Sequence, residues 1–428
     1  MAHIQKLKQT LNLSRLDARI AEVYGCASEE VYTKRKRLVS LTDMYSKHFA
    51  DNDDVGLYSS PGRTEIGGNH TDHQNGCVLA AAIDLDTIAC AAKNNTSCVN
   101  IISKGHPDIR VSLEESYPVE SEKGTSASIV RGIVSKIRSM GFPVYGFNAC
   151  VDSNVLCGSG LSSSAAYEVL IGVIINDLFC GGELDAIKVA QIGQYAENIF
   201  FGKPCGLMDQ LASSVGGVVS IDFANPSVPI VEAISCNPTD AGYALCIVDS
   251  GANHTDLTDE YASIPREMCA VASFFGKTVL RDVEESLVWE HIAALRENVS
   301  DRAVLRAIHF FNENKTAQLE ASALKSGDLR LFLSLVNSSG NSSALHLQNL
   351  YCDGSPDKQS IPVAIAVARH ALKGDGAVRV HGGGFAGTIQ AFVPISILAD
   401  FKAELEAALG AGRCHVLTFR SCGGVKFF

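Results

Sequence analysis

The chain has no cluster of basic residues beyond Lys34-Arg35-Lys36-Arg37, and its formal net charge is −11 at pH 7. It therefore offers no positive stripe to a phosphate backbone or an anionic bilayer, which excludes nucleic acid and membrane surfaces as main partners. The short basic run reads as a solvated helix face. No Cys-x-x-Cys pair occurs among the 14 cysteines, several of which (Cys90, Cys180, Cys246) lie in apolar stretches. Buried reduced thiols are expected rather than a disulfide framework or a zinc site. No apolar run approaches the length of about 18 residues that a membrane span needs, and the N-terminus lacks an apolar signal core. A cytoplasmic protein is expected, and Asn94-Asn95-Thr96 is then no glycan acceptor. There is no internal repeat and no low-complexity tract. What remains is an ordinary globular composition, 46% hydrophobic over 428 residues, long enough for two domains.

Leu7, Leu11, Leu13, Leu16 and Ile20 recur at mostly helical spacing, so the first fifty residues read as a helical lead-in, broken at Asp51-Asn52-Asp53-Asp54. Gly76 to Ala92 is apolar and β-branched, as in a buried strand or strand pair. Ala165, Ala166, Val169, Leu170, Val173, Ile174 and Leu178 mark a buried helix, closed by Gly181-Gly182. A second helix runs from Leu184 to Phe200 and carries Glu197 near its end, where Gly202-Lys203-Pro204 stops it. Toward the C-terminus, a helix at Pro362–Leu372, strands at Ala377–His381 and Thr388–Val393, a helix at Leu398–Leu409 and a strand at His415–Phe419 alternate as in an α+β layer. The segment Asn337 to Ser343 reads as a loop or cap.

Three segments rich in glycine or small residues punctuate this order. They are Pro61-Gly62-Arg63 leading to Gly68-Asn69-His70-Thr71-Asp72, then Gly158-Ser159-Gly160-Leu161-Ser162-Ser163-Ser164-Ala165-Ala166, then Gly382-Gly383-Gly384-Phe385-Ala386-Gly387. The middle one can close backbone N–H groups on phosphate oxygens at the start of a helix. It is not a P-loop, because no Lys-Ser/Thr follows the glycines.

The combination resembles the GHMP kinases and, within them, the galactokinase family. The middle segment is similar to that family's Gly-Leu-Ser-Ser-Ser-Ala nucleotide loop. Pro61-Gly62-Arg63 with His70 and Asp72, and Cys205-Gly206-Leu207-Met208-Asp209-Gln210, resemble two galactokinase hallmarks. The resemblance implies an α+β, two-domain architecture: an N-terminal domain like domain 2 of ribosomal protein S5 (residues 1–220) and a ferredoxin-like C-terminal domain (221–428). It implies ATP with Mg²⁺, a small sugar substrate, and transfer of phosphate to the anomeric hydroxyl of galactose. A monomer is expected.

Residue by residue, it implies Asp209 as base or orienting group for the acceptor hydroxyl and Arg63 as the cation beside it. Gly158, Gly160, Leu161, Ser162, Ser163, Ser164 and Ala165 would cradle the nucleotide. Ser164, first choice among the three serines, and Glu197 would hold Mg²⁺. Glu168 is a weaker alternative carboxylate, expected to be a helix i,i+4 partner or a solvated residue. Asn69, His70, Asp72, Gly206 and Tyr261 would contact the sugar. Asn69 replaces the family's glutamate and His73 its tyrosine, which opens galacturonate or N-acetylgalactosamine as alternative substrates. A sensor that binds sugar without turnover is the alternative from outside the enzymes. In the third segment Ala386 and Thr388 stand where the family has glycine and cysteine, and strain is expected if Ala386 takes a positive φ.

Overall fold

The computed structural model describes residues 2–26, 28–49, 54–156, 158–236, 238–251, 257–352 and 357–428. Of the expected acidic break, Asp51, Asn52 and Asp53 lie outside the described residues. A short strand β1 (Ala2–His3) precedes three lead-in helices, α1 (Ile4–Asn12), α2 (Asp17–Tyr24) and α3 (Ser28–His48). Leu7, Leu11 and Ile20 are buried as their spacing requires, whereas Leu13 falls beyond the end of α1 and is exposed.

The lead-in packs on a nine-stranded sheet. Its long hairpin is β2 (Asp54–Gly67) with β3 (Cys77–Lys93). Beyond β3 lie β6 (Phe147–Ser153), β4 (Cys98–Ser103) and β5 (Ile109–Ser112), while β7 (Val218–Asp222) and β8 (Ile230–Ile234) continue from the other end of β3. Side chains alternate across β3: Ile88, Cys90 and Ala92 face the lead-in, and Ala89 and Ala91 face the core under α4 (Ser126–Ser139) and α5 (Ser163–Phe179). Both faces are covered, which is why the strand reads as one apolar run rather than an alternation. Then follow α6 (Ala186–Tyr195) and α7 (Met208–Val215).

A second, four-stranded sheet has the order β10 (Ala377–Val380), β11 (Thr388–Pro394), β9 (Tyr243–Asp249), β12 (Cys414–Leu417), all antiparallel. Cys246 and Val248 of β9 face α13 (Ser360–Leu372) and α14 (Leu398–Leu409). Leu245 and Ile247 face a core shared with Ile66, Leu79 and Ala81 of the first sheet and with α12 (Leu329–Ser342). The helices α8 (Thr258–Phe274), α9 (Glu285–Glu290), α10 (Ile292–Asn298) and α11 (Asp301–Ser326) form a further cluster around Phe310. This is the expected α+β fold. The first sheet draws on both sides of residue 220, because β7 spans 218–222 and the C-terminal strand β13 (Val425–Lys426) returns to pair with β2.

Two local expectations change. Asn337 to Ser342 is helix, not loop: Ser339 donates to Glu313 Oε1 at 2.6 Å, and Gly340 lets α12 press on the Arg379 backbone. Tertiary contacts override the weak helix propensity of Ser and Asn. Nor is most of the basic run solvated: Lys36 is exposed, but Lys34 pairs with Asp84, Arg35 with Asp17, and Arg37 with Asp86 and Asp152.

Candidate active site

Arg63 lies within β2, not on a loop, immediately after a register shift between Pro61 and Arg63. Pro61 lacks the ladder N–H, and the resulting irregularity turns the arginine toward the phosphate loop. Asp209 occupies the first turn of α7, where a carboxylate suits the helix dipole. Arg63 Nε donates to Asp209 Oδ1 at 2.7 Å, with Nη2 2.6 Å from the same oxygen. Arg63 Nη1 donates to the Gly160 carbonyl, and its backbone N–H to Leu161 O at 3.0 Å. The Asp209 side chain keeps 31% exposure, against 8% for Arg63.

In the phosphate loop, Gly158 and Gly160 take φ values of 72° and 71°, and a Cβ at Gly160 would lie 3.1 Å from His381 Nδ1. Glycine is needed at 160 on both counts. Leu161 and Ala165 are buried, Ser162 and Ser163 half-buried, and Ser164 exposed at the start of α5. Ser162 Oγ donates to Asp209 Oδ2 at 2.7 Å. Beside this helix end opens a cavity of about 750 Å³, lined by Thr87, Ser103, Lys104, Ser153, Ser164 and Tyr167 among others. Apart from the serine loop, no sequence signal marked these residues, which four separate elements bring together.

Glu197 lies in a single π-helical segment, Ala196–Phe201, that follows α6. Such segments recur at functional sites because the extra residue re-aims a side chain. Its Oε2 accepts from Gln210 Nε2 at 3.0 Å and its Oε1 from Lys203 Nζ at 3.3 Å. Glu168 is not solvated as expected: it is buried, and Gln210 Nε2 bridges to its Oε2 at 2.9 Å. Burial, reinforced by the Glu197 charge, pushes its carboxyl well above the usual range, and its Oε1 has no hydrogen-bond partner. Among the described residues no group of three or more His, Cys, Asp or Glu is spaced for a metal. Serine hydroxyls and carboxylates are hard oxygen donors, the kind taken by an ion that keeps most of its waters, as Mg²⁺ does; here the Glu168 Oε1 is the carboxyl oxygen left without a partner, and both Glu197 oxygens are engaged.

The sugar signature is held from beneath. Glu313 Oε1 accepts the backbone N–H groups of Gly68 (3.0 Å) and Asn69 (3.1 Å). Arg379 Nη2 donates to Glu65 Oε1 at 3.0 Å. These buried charges, scattered from residue 65 to 379, were invisible in the sequence. Asn69 is a correction. Its side chain has no accessible surface; Nδ2 donates to Glu65 Oε1 (2.8 Å) and Gly382 O (2.7 Å), and Oδ1 accepts from Asn349 (2.9 Å). The amide braces the fold and presents no edge to a sugar, so its argument for a uronate falls away.

His70 takes φ 60° and donates from Nε2 to the Gly383 carbonyl at 2.9 Å. Desolvation, with His73 adding to it, lowers its pKa to about 3, so the ring is neutral. Its Nδ1 lies 2.9 Å from His73 Nε2, and His73 Nδ1 lies 3.1 Å from Asp72 Oδ1. Asp72 Oδ2 packs against Gly206, where a Cβ would approach to 2.1 Å. Tyr261 donates to Gly384 O at 2.9 Å and meets Phe385 edge-on, so it joins the third glycine segment rather than standing open. In that segment the positive φ of 58° falls on Phe385, not on Ala386, which corrects the expected site of strain.

Residues 43–93 match the galactokinase galactose-binding signature, and residues 128–217 match the GHMP kinases N terminal domain. A galactokinase from Actinobacillus pleuropneumoniae serotype 5b (strain L20) is 32% identical over 361 residues, spanning 82% of this chain and 88% of the relative. Another from Actinobacillus pleuropneumoniae is 33% identical over 343 residues, 78% and 84% of the two chains. In fold, the chain superposes on the Lactococcus lactis galactokinase complexed with galactose at TM-score 0.76 and 23% identity, covering 91% of this chain and 99% of that one. The L. major mevalonate kinase in complex with R-mevalonate follows at TM-score 0.58 and 14% identity, covering 86% and 97%. With the relatives matched over most of their length and the signature residues gathered at one site, the chain belongs to the galactokinase family of GHMP kinases.

Proposed function

We propose that the protein transfers the terminal phosphate of ATP to the anomeric hydroxyl of galactose, giving α-galactose 1-phosphate and ADP. The observation that carries this reading is the Arg63–Asp209 pair, held at 2.6–2.7 Å beside the phosphate loop with the carboxylate still partly exposed. Galactose follows from the names of the relatives and from the matched signature.

Asp209 takes up or orients the anomeric proton, a contribution of roughly 10²–10⁴ in rate. Arg63 fixes that carboxylate and supplies positive charge where phosphoryl transfer develops negative charge. Gly158 to Ala165 present the start of α5 to the phosphates. Mg²⁺ held by Ser164 and Glu197 would neutralise phosphate charge. His70, Asp72 and Gly206 are assigned to the sugar and Tyr261 to the glycine segment behind it; Asn69 is withdrawn from direct contact.

The test is ADP release by the purified protein with Mg·ATP against galactose, galacturonate, N-acetylgalactosamine and glucose in parallel, with Asp209→Asn as the blank. Turnover of galactose well above the other three is expected. A preference for galacturonate, or sugar binding with no turnover, would overturn the reading.

A further inference from the structure

We infer that Ser162 is a positioning residue for Asp209, its hydroxyl fixing the carboxylate oxygen that Arg63 leaves untouched. The inference rests on the kinase reading above and assigns this serine a task apart from its neighbours in the phosphate loop.

Ser162 has φ 55° and ψ 63°, the left-handed region. A serine there is disfavoured by about 1–2 kcal/mol, and such conformations persist only where surrounding contacts fix them. Ser162 is also the N-cap residue of α5, the position at which a serine oxygen ordinarily accepts from a first-turn backbone N–H. It makes no such cap bond. The hydroxyl is instead turned onto Asp209 Oδ2 at 2.7 Å. The strained backbone and the forgone cap have one outcome in common, the aim of Oγ at the carboxylate.

Arg63 supplies the complementary half. Its Nε and Nη2 both address Oδ1, while Nη1 holds Gly160 O and the Arg63 backbone N–H holds Leu161 O. Loop, arginine and aspartate therefore close a ring of hydrogen bonds in which Ser162 is the contact to Oδ2. Donors on both oxygens, two on Oδ1 and Ser162 on Oδ2, fix the carboxylate plane as well as its position, and a displacement of about 1 Å at a reacting group can cost about 100-fold in rate. Ser164, exposed at the helix start, remains free for the nucleotide and its ion.

Ser162→Ala and Ser162→Gly test this, each alone and combined with Asp209→Asn. Glycine adopts the left-handed backbone without strain, so Ser162→Gly removes the hydroxyl while keeping the loop, and thermal melting confirms that it folds. For both single variants kcat is expected to fall on the order of 10- to 100-fold, with KM for ATP within about 2-fold of the unsubstituted value. In the Asp209→Asn background neither change should reduce kcat further, because coupled groups are non-additive. An unchanged kcat, a raised KM for ATP at constant kcat, or full additivity with Asp209→Asn would overturn the assignment in favour of a phosphate-loop role. The unsubstituted protein is assayed alongside: if it fails to turn over galactose, the kinase reading falls and this one with it, whereas an active parent with an unaffected Ser162→Gly overturns this inference alone.

Discussion

Asp209 and Asp86 are both gripped by arginine, and they differ in what is left over. Asp209 faces Arg63 and Ser162 and keeps 31% of its side chain exposed. Asp86, in β3, has no exposure at all: Arg37 addresses one oxygen, and Tyr24 (2.5 Å), Ser59 and Arg420 (3.2 Å) the other. Burial alone would raise the Asp86 carboxyl, but Arg37 and Arg420 outweigh it and hold the group below its ordinary range. The chemistry of the pairs is the same. What separates the group we propose as reacting from a fastener is the accessible surface its carboxylate keeps. The fastener ties the lead-in (Tyr24, Arg37) and the C-terminal tail (Arg420) to the strand that carries Thr87 in the wall of the cavity beside α5.

The comparison breaks most visibly if the two aspartates are exchanged in role. Asp209→Asn should lower kcat by about 1,000-fold or more while leaving the melting temperature within a few degrees, measured by single-turnover assay and calorimetry. Asp86→Ala should do the reverse. Removing the carboxylate leaves Arg420 buried without its carboxylate and Arg37 with Asp152 alone, at a cost of about 3–5 kcal/mol, read as a lower urea midpoint. Turnover per folded molecule should stay near that of the parent. A stable Asp86→Ala protein, or a destabilised Asp209→Asn one, would erase the distinction.

How far each region could be read in the sequence follows the same line. The three glycine segments and the helix from Ala165 were legible because their signals are local: small residues where backbone must approach a ligand, and apolar spacing behind them. The Asp86 cluster was not, since its members come from residues 24, 37, 59, 86 and 420 and only the fold makes them neighbours. Lys34 to Arg37 looked solvated for that reason. Asn69 was read as a sugar contact because the motif around it is a sugar motif, yet its amide is spent on Glu65, Gly382 and Asn349. Motif position gives a residue's neighbourhood; the direction of the side chain is set by groups hundreds of positions away.

Glu65 is an intermediate case that sharpens the comparison. It lies two residues from Arg63 on β2, is buried, and accepts from Arg379 and Asn69. Here burial prevails over the Arg379 and Arg63 charges, and the carboxyl is raised from 4.5 to about 7. The native state then holds a proton that the unfolded chain releases earlier, so the Glu65 contribution to stability is complete at low pH and is lost as pH rises from about 4.5 through about 7. Glu65→Gln, neutral throughout, should flatten the decline in unfolding free energy between pH 5 and pH 8, measured by urea titration, by on the order of 1–3 kcal/mol. An unaltered pH slope would show that Glu65 is ionised in the fold, as Asp86 is.

The smallest effect tests redundancy. Tyr24→Phe removes one donor from Asp86 without changing ring volume, and Arg37, Ser59 and Arg420 still serve the carboxylate. A hydrogen bond to a charged group contributes about 1.5–3 kcal/mol when its loss leaves the partner bare; with three donors remaining, a loss of about 1 kcal/mol is expected, seen as a small shift in urea midpoint with unchanged turnover. Asp209 has less reserve, because Ser162 is the donor to its Oδ2 and Arg63 addresses Oδ1. Loss of one hydroxyl donor should therefore be felt as stability at Asp86 and as rate at Asp209. If Tyr24→Phe instead slowed turnover, the lead-in would act on the cavity beside α5 through β3, and the fastener would belong to the machinery it was distinguished from.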